Sequence, residues 1–410
     1  MTAPRSHRAV VSYLAFLGVV MAVGVDIALP AFDRIGDSFD LGATGGNVSL
    51  VGTTYFLGMA TGQLVFGPAS DRFGRSACLK VGIVLAVIGA LGAALAPSFG
   101  LLLAARVVWG LGAASPAVLR TAIARDLFEG DEMARVVTTI MAVFLIGPII
   151  VPSLGQLVLE VGSWRTVFAV ATVVSAAGFV WTLGFGETLK PEDRREFKLA
   201  TFGQAIGVVA RTRSTVGYIV AQTFTTGAFV IFLGSSQPIM DNIYDRGSQF
   251  AAYFGLAGAL MAVGLLINNR LIRLRGTRFI LMGVSMAMVA LAALGVVMML
   301  ATDGRPPFGA WFAWVAVTNS MVVLMSPMCN TLALEPMGRL AGTASAILGF
   351  VTLAGGALLA SVFDALIEDS VTPMAVGYFL YGSLALVALV WAGRAARTET
   401  GLIASEPVVA

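Results

Sequence analysis

The chain of 410 residues contains one histidine, two cysteines and three lysines. The lone histidine, His7, lies in the N-terminal stretch. A histidine-ligated metal centre or a histidine proton relay therefore has no second member to draw on. Cys78 and Cys329 sit in different parts of the chain, near the ends of apolar runs, and read as free thiols. None of Lys80, Lys190 and Lys198 belongs to a glycine-rich phosphate loop, which excludes a P-loop nucleotide site. Charged residues make up 12% of the chain, against roughly 25% in soluble domains. A membrane-embedded enzyme would need a convergent nucleophile, metal ligands or an acid–base pair, and these counts leave little to build one from. The expectation is a protein that is not an enzyme and carries no cofactor.

Apolar residues fill the chain instead, at 58%. Windows of about 20 apolar residues recur throughout, each long enough to cross a hydrocarbon core about 30 Å thick. They do not alternate as barrel strands do, so tilted helices are the spanning form. Twelve spans can be drawn, at roughly 11–30, 47–68, 78–96, 99–120, 136–159, 165–186, 216–238, 250–271, 278–300, 309–332, 341–363 and 373–393. Arg5 and Arg8 before the first run resemble a signal peptide, but the run is long and lacks a small-residue cleavage pattern, so it reads as an uncleaved span. The stretch 187–215 is polar and basic and includes Pro191. It divides an N-terminal six-helix bundle, 1–186, from a C-terminal bundle and tail, 216–410. Between spans, 21 basic residues fall on one side and four (Arg34, Arg165, Arg246, Arg305) on the other. That asymmetry places the basic side, with both termini, in the cytoplasm.

Two ionisable residues lie within spans. Asp26 stands four residues before Pro30 in the first, and Arg106 stands in the fourth. Such residues are costly in a membrane and mark function by default. Arg106 reads either as part of a site or as an arginine snorkelling to the headgroups. Asp26 reads either as a protonatable group or as a carboxylate near a helix end. Placed together, the two would suffice to exchange a proton for a cationic substrate.

The most patterned stretch joins the second and third spans: Gly67-Pro68-Ala69-Ser70-Asp71-Arg72-Phe73-Gly74-Arg75. It reads as a tight, water-facing hairpin, with Gly74 available for positive φ. A degenerate copy, Arg275-Gly276-Thr277, follows 202 residues later. Arg106 is followed by Gly110-Leu111-Gly112. The fifth span carries Gly147, Pro148, Pro152 and Gly155, the pattern of a bent, closely packed membrane helix. Asp26-Ile27-Ala28-Leu29-Pro30, Trp164-Arg165 with Phe168, and Ala341-Gly342-Thr343-Ala344-Ser345-Ala346 complete the set.

Together these motifs resemble the major facilitator superfamily of transporters, and within it the Bcr/CflA-type drug:proton antiporters. The resemblance spans nearly the whole chain. It departs from the antiporter pattern at Val151 and Pro152, where a glycine pair is usual. It implies an all-α membrane protein of twelve transmembrane helices in two pseudo-symmetric six-helix bundles. It gives Gly67, Asp71, Arg72, Gly74 and Arg75 a gating role and assigns proton and substrate coupling to Asp26 and Arg106. The fifth-span motif belongs to antiport, or is a packing kink alone. The second-half cavity would be lined by Gln222, Thr226, Phe229, Asn319 and Met325, residue types that also serve as glue between helices. The implied function is proton-driven efflux of small amphipathic or cationic molecules by a monomer in the bacterial inner membrane. A symporter importing a sugar or organic acid is the alternative. The lipid bilayer and protons are the expected partners; nucleic acid is not, and loops under 30 residues do not suit a receptor or scaffold.

Overall fold

The computed structural model of the protein describes residues 7–44, 47–190, 192, 194 and 199–405. Among them are twelve helices of at least 20 residues and no strand. They are α1 (His7–Asp26), α2 (Leu50–Phe73), α3 (Arg75–Leu95), α4 (Phe99–Leu127), α5 (Gly130–Val161), α6 (Trp164–Gly184), α7 (Arg213–Pro238), α8 (Phe250–Arg275), α9 (Thr277–Ala301), α10 (Phe308–Leu334), α11 (Ala341–Asp364) and α12 (Thr372–Ser405). Ten helical segments are long and apolar enough to cross a membrane. The remaining two rods are α2, of 24 residues, and α5, which holds the shorter apolar stretch Ile146–Val161. The chain is an all-α membrane protein.

It forms two compact units. One comprises residues 1–197 with 233–259, the other 198–232 with 260–410. Of the expected linker, residues 191, 193 and 195–198 lie outside those described, and Leu199–Arg211 is a 13-residue helix that packs along α11.

In the first unit α4 is the hub, packed on α2 and α3 at backbone distance. A Cβ on Gly58 would lie 2.1 Å from Val107 O, and one on Gly110 would lie 2.0 Å from Tyr55 O. On the other side, a Cβ on Gly112 would lie 2.3 Å from Ala86 N, and one on Gly89 would lie 2.3 Å from Trp109 N. Residues two apart on a helix point to opposite sides, so Gly110 serves α2 while Gly112 serves α3. That is the physical content of the Gly-x-Gly motif: each helix pair approaches closer than any side chain permits.

Two expectations need correction here. The first span does not end near residue 30. A helical run of 32 residues, His7–Ser38, is interrupted after Asp26, resumes as a 3-10 turn at Leu29–Ala31, and continues as Phe32–Ser38. Pro30 accounts for the break, since it has no N–H to donate to the carbonyl of Asp26 four residues earlier. Asp26 therefore stands twelve residues short of Ser38, deeper than a span ending near residue 30 would put it. The predicted hairpin at Gly67–Arg75 is also absent. α2 runs on through Pro68 to Phe73, α3 starts at Arg75, and only Gly74 lies between, at φ 98°. A single residue with positive φ completes the reversal, and Ser70 Oγ donates to Gly67 O at 2.8 Å inside the last turns of α2.

In the second unit α9 packs on α10 and α12. Trp314 fills the space over Gly295 and donates from Nε1 to Leu291 O at 2.8 Å. Gly217 of α7 fits against Ala392 of α12, and Gly356 of α11 against the Thr226 methyl.

Candidate functional site

Arg106 is among the largest wholly buried side chains, at 1% exposure. It does not reach for an outer surface. Its Nη1 donates to Gly24 O at 2.9 Å and its Nε to Val51 O at 3.0 Å. The guanidinium carbon lies 4.4 Å from the Tyr55 ring centre, 4.9 Å from that of Trp109 and 6.0 Å from that of Phe168. Three aromatic faces and two carbonyls thus hold the cation where water is excluded. Gly24 O is available because α1 breaks nearby.

Asp26 is 4% exposed. Among the described residues, no ion pair includes Asp26 or Arg106. The two expected coupling residues are not a salt bridge. Tyr55 is the group in electrostatic reach of both. Its hydroxyl is buried, bonds nothing among the described residues and sits against Gly24, where an added Cβ would come within 2.3 Å of it. Tyr55 was not singled out by sequence, because a tyrosine in an apolar run carries no signal of its partner.

The fifth-span residues meet the same place. A Cβ on Gly147 would lie 2.5 Å from the Ala22 Cβ and 3.9 Å from Asp26 Oδ2. A Cβ on Gly155 would lie 2.6 Å from Ile27 O and 2.9 Å from Pro30 Cγ. Helix α5 stays helical through Pro148 and buried Pro152. Its glycines clasp α1 above and below the break, while Pro148 and Ile149 face Gly258 and Gly255 of α8. Gly147→Leu is expected to cut transport at least about tenfold by overpacking, with normal insertion. Unchanged export and unchanged proton leakage in reconstituted vesicles would reduce the motif to a kink.

At the basic end, the motif residues form a closed network. Arg75 Nη1 donates to Asp71 Oδ1 and to Ser70 Oγ, each at 2.6 Å, and Arg75 Nε donates to Asp126 Oδ2 at 3.0 Å. The N-terminus of α3 is capped from a distance: Arg75 N and Ser76 N donate to the two carboxylate oxygens of Glu187 at 2.8 and 3.2 Å. Asp71 thus bonds an arginine of its own turn, and the helix terminus goes to Glu187. Arg72 is exposed, 5.1 Å from the Phe73 ring centre. Asp126 and Glu187 were missed in sequence. Each is the acidic residue at the end of an apolar run, a signal too common to stand out. Asp71→Asn is expected to lower transport several-fold without loss of insertion, because Asp126 still holds Arg75. Full turnover in vesicles would remove Asp71 from the mechanism.

At the opposite end, Gln237 Nε2 donates to Asp33 Oδ2, and the Asp241 carboxyl lies in electrostatic reach of Asp33. In the second unit, Gln222 Nε2 donates to Ser326 Oγ at 3.2 Å, while its Oε1 is buried without a partner. Phe229 is half-buried near Phe232. Thr226 packs on Gly356. Asn319 and Met325 are wholly buried. The Asn319 amide is committed to Val315 O and to the Tyr378 hydroxyl, at 3.0 and 2.9 Å. Thr226 and Asn319 make these contacts within the second unit, where Met325 is also buried, and Gln222 Oε1 accepts no hydrogen bond among the described residues.

The sequence profile of the Major Facilitator Superfamily matches residues 14–360. A bicyclomycin resistance protein homolog of Haemophilus influenzae is 28% identical over 365 residues, covering 88% of this chain and 90% of that protein. A chloramphenicol resistance protein of Pseudomonas aeruginosa is 26% identical over 367 residues, covering 87% and 83%. The crystal structure of a D-xylose-proton symporter superposes with a TM-score of 0.74 at 15% identity, covering 94% of this chain and 97% of that one, a likeness of fold alone. With twelve helices of at least 20 residues among the described residues, interior charges at the break of α1 and a matched region of 347 residues, the chain belongs to the Major Facilitator Superfamily and is a multi-pass secondary transporter.

Proposed function

We propose that the protein exports small amphipathic or cationic molecules in exchange for protons, by alternating access, with Asp26 as the proton carrier. The observation that carries this reading is the setting of Asp26. It is enclosed at the break of α1, faces Gly147 of α5, and has no cation beside it among the described residues. Such a carboxyl can be neutralised by a proton or, when charged, be balanced by a cationic substrate or by hydrogen-bond donors on an uncharged one. The two exclude each other, and that exclusion is what obligatory exchange requires. Tyr55, whose buried hydroxyl bonds nothing among the described residues, would supply a donor to the charged form when the two side chains meet in the cycle. Arg106 positions the break by tying α1 and α2 to α4. The names of the relatives, bicyclomycin and chloramphenicol resistance, support export and suggest first compounds to try. The 21 basic residues on one side support a cytoplasmic location for that end and for both termini.

The test is transport by the full chain in inside-out vesicles with an acid interior. Adding chloramphenicol, bicyclomycin or a lipophilic cation is expected to dissipate the pH gradient as the compound accumulates. A gradient left intact by every compound, or dissipated only as a sugar or organic acid leaves with the protons, would replace this reading with symport.

A further inference from the structure

Residues 233–259, the last turns of α7 and the start of α8, group with the first unit, while the rest of both helices belongs to the second. α7 ends at Pro238 and runs on as a π-helical turn, Ile239–Ile243. Asp245 N donates to Asp241 O at 3.0 Å, and Arg246 N to Met240 O at 2.7 Å, which closes the turn. The Asp241 carboxyl folds against Gly247, where a Cβ would lie 2.0 Å from Oδ1. So held, it lies in electrostatic reach of Asp33, on the short helix Phe32–Ser38 that continues α1. Both aspartates are half-buried.

No cation balances this pair. Arg34 turns away, donating from Nη1 to Leu159 O and Gly162 O at 2.7 and 3.0 Å. Arg246 donates from Nη1 to Gln249 Oε1 at 2.9 Å. Among the described residues no ion pair includes Asp33, Asp37 or Asp241. Exposed Asp37, one turn beyond Asp33, adds a like charge, and Glu160, near the end of α5, is exposed. The amide between the two elements is also incomplete. Gln237 is 3% exposed and donates from Nε2 to Asp33 Oδ2, while its Oε1 is buried and bonds nothing among the described residues. An ionised carboxylate can only accept, whereas a protonated one can donate. One proton on the pair therefore removes the repulsion of like charges and creates the donor that the amide oxygen lacks.

We propose that Asp33 and Asp241 share one proton, and that this proton latches the outer end of α7 to α1. When it leaves, two negative charges face each other unbalanced and the latch opens. The closed form holds the proton, so closure is favoured in acid and lost as pH rises. The latch is distinct from Asp26, seven residues earlier in the chain, and does not depend on which way the substrate moves.

Spin labels on cysteines placed at Val161 and Ser248 test this, in the full chain in lipid nanodiscs with buried Cys78 and Cys329 replaced by alanine. Both label positions are exposed. Val161 ends α5, to which Arg34 ties the continuation of α1, and Ser248 follows the π turn. The ratio of short to long label separations, measured by pulsed electron spin resonance, is expected to fall about tenfold per pH unit through the transition, the slope of one proton. Asp241→Asn keeps the size of the side chain, cannot ionise and carries N–H donors, so the short separation should persist at every pH. Asp33→Asn should do the same. Asp245→Asn, exposed in the same turn at a positive φ that asparagine tolerates, should leave the transition in place. So should Asp26→Asn, which separates the latch from the carrier. A wild-type separation that ignores pH, a transition that survives in either Asp33→Asn or Asp241→Asn, or one that follows sodium or calcium concentration in place of pH would each overturn the proposal.

Discussion

Asp26→Asn is expected to bring proton-driven accumulation down to the level of protein-free vesicles while the protein still inserts and still binds its substrate. Asparagine keeps the size and polarity of the side chain at the break of α1, so the contact with Gly147 survives. What it removes is the ability to carry one charge in one half of the cycle and none in the other. Facilitated movement of substrate down its own gradient should persist, and that residual flux separates a lost proton from a lost fold. Two measurements decide it: proton release on adding substrate to detergent-solubilised protein, and equilibrium exchange in vesicles. Proton release that survives in Asp26→Asn would move the carrier elsewhere, with Asp364, buried near the end of α11, and Glu335 as the next carboxylates to replace. Tyr55→Phe is the companion variant. Losing only a hydroxyl, it should slow turnover and leave coupling intact.

Arg106→Leu is expected to be the most damaging single change for stability. Arg106 bonds two backbone carbonyls on two different helices and lies among three aromatic rings. Removing the donor strands Gly24 O and Val51 O in an apolar interior, at about 1–3 kcal/mol for each unsatisfied group. It also takes away the cation–π contacts. The thermal midpoint in detergent should fall by several degrees or more, and transport should fall with it. Arg106→Lys should be intermediate, because an ammonium keeps the charge but cannot donate along two directions while lying flat against rings. Its proton release should keep the pH dependence of the wild type, since Arg106 is not the counter-ion of Asp26. Wild-type stability in Arg106→Leu would show that these bonds are dispensable. An altered pH profile in Arg106→Lys would show that Arg106 and Asp26 interact directly at some stage of the cycle.

Much of this was readable in the sequence, for identifiable reasons. Hydrophobic run length gives the spans, and Gly110-Leu111-Gly112 announces tight packing without a structure. Asp26 and Arg106 stand out because ionisable groups are rare at that depth. What the sequence withheld was pairing at a distance. Glu187 caps a helix 111 residues earlier, and Asp126 meets Arg75 across 51. No local pattern encodes either contact. The α2–α3 reversal was misread because Pro68 and three charges, Asp71, Arg72 and Arg75, suggest a loop in water. In a helix packed on both sides they are accommodated, and one glycine suffices for the turn. Asn319 and Gln222 looked alike as amides in apolar helices. Only the structure separates them: Asn319 bonds Tyr378, and the Gln222 oxygen bonds nothing among the described residues.

The glycine contacts of α4 with α2 and α3 have a mechanical consequence. Where backbone meets backbone without side chains between, there is no soft layer to shear. Sliding either neighbour along α4 by even part of a turn would drive a residue with a Cβ into a carbonyl now faced by hydrogen. The three helices therefore behave as a single lever with no lost motion, and compliance must lie where the packing is looser and the backbone already interrupted. In this half of the molecule that place is the five residues from Ile27 to Ala31, directly after the aspartate. Displacement there would be sensed at Asp26 before anywhere else.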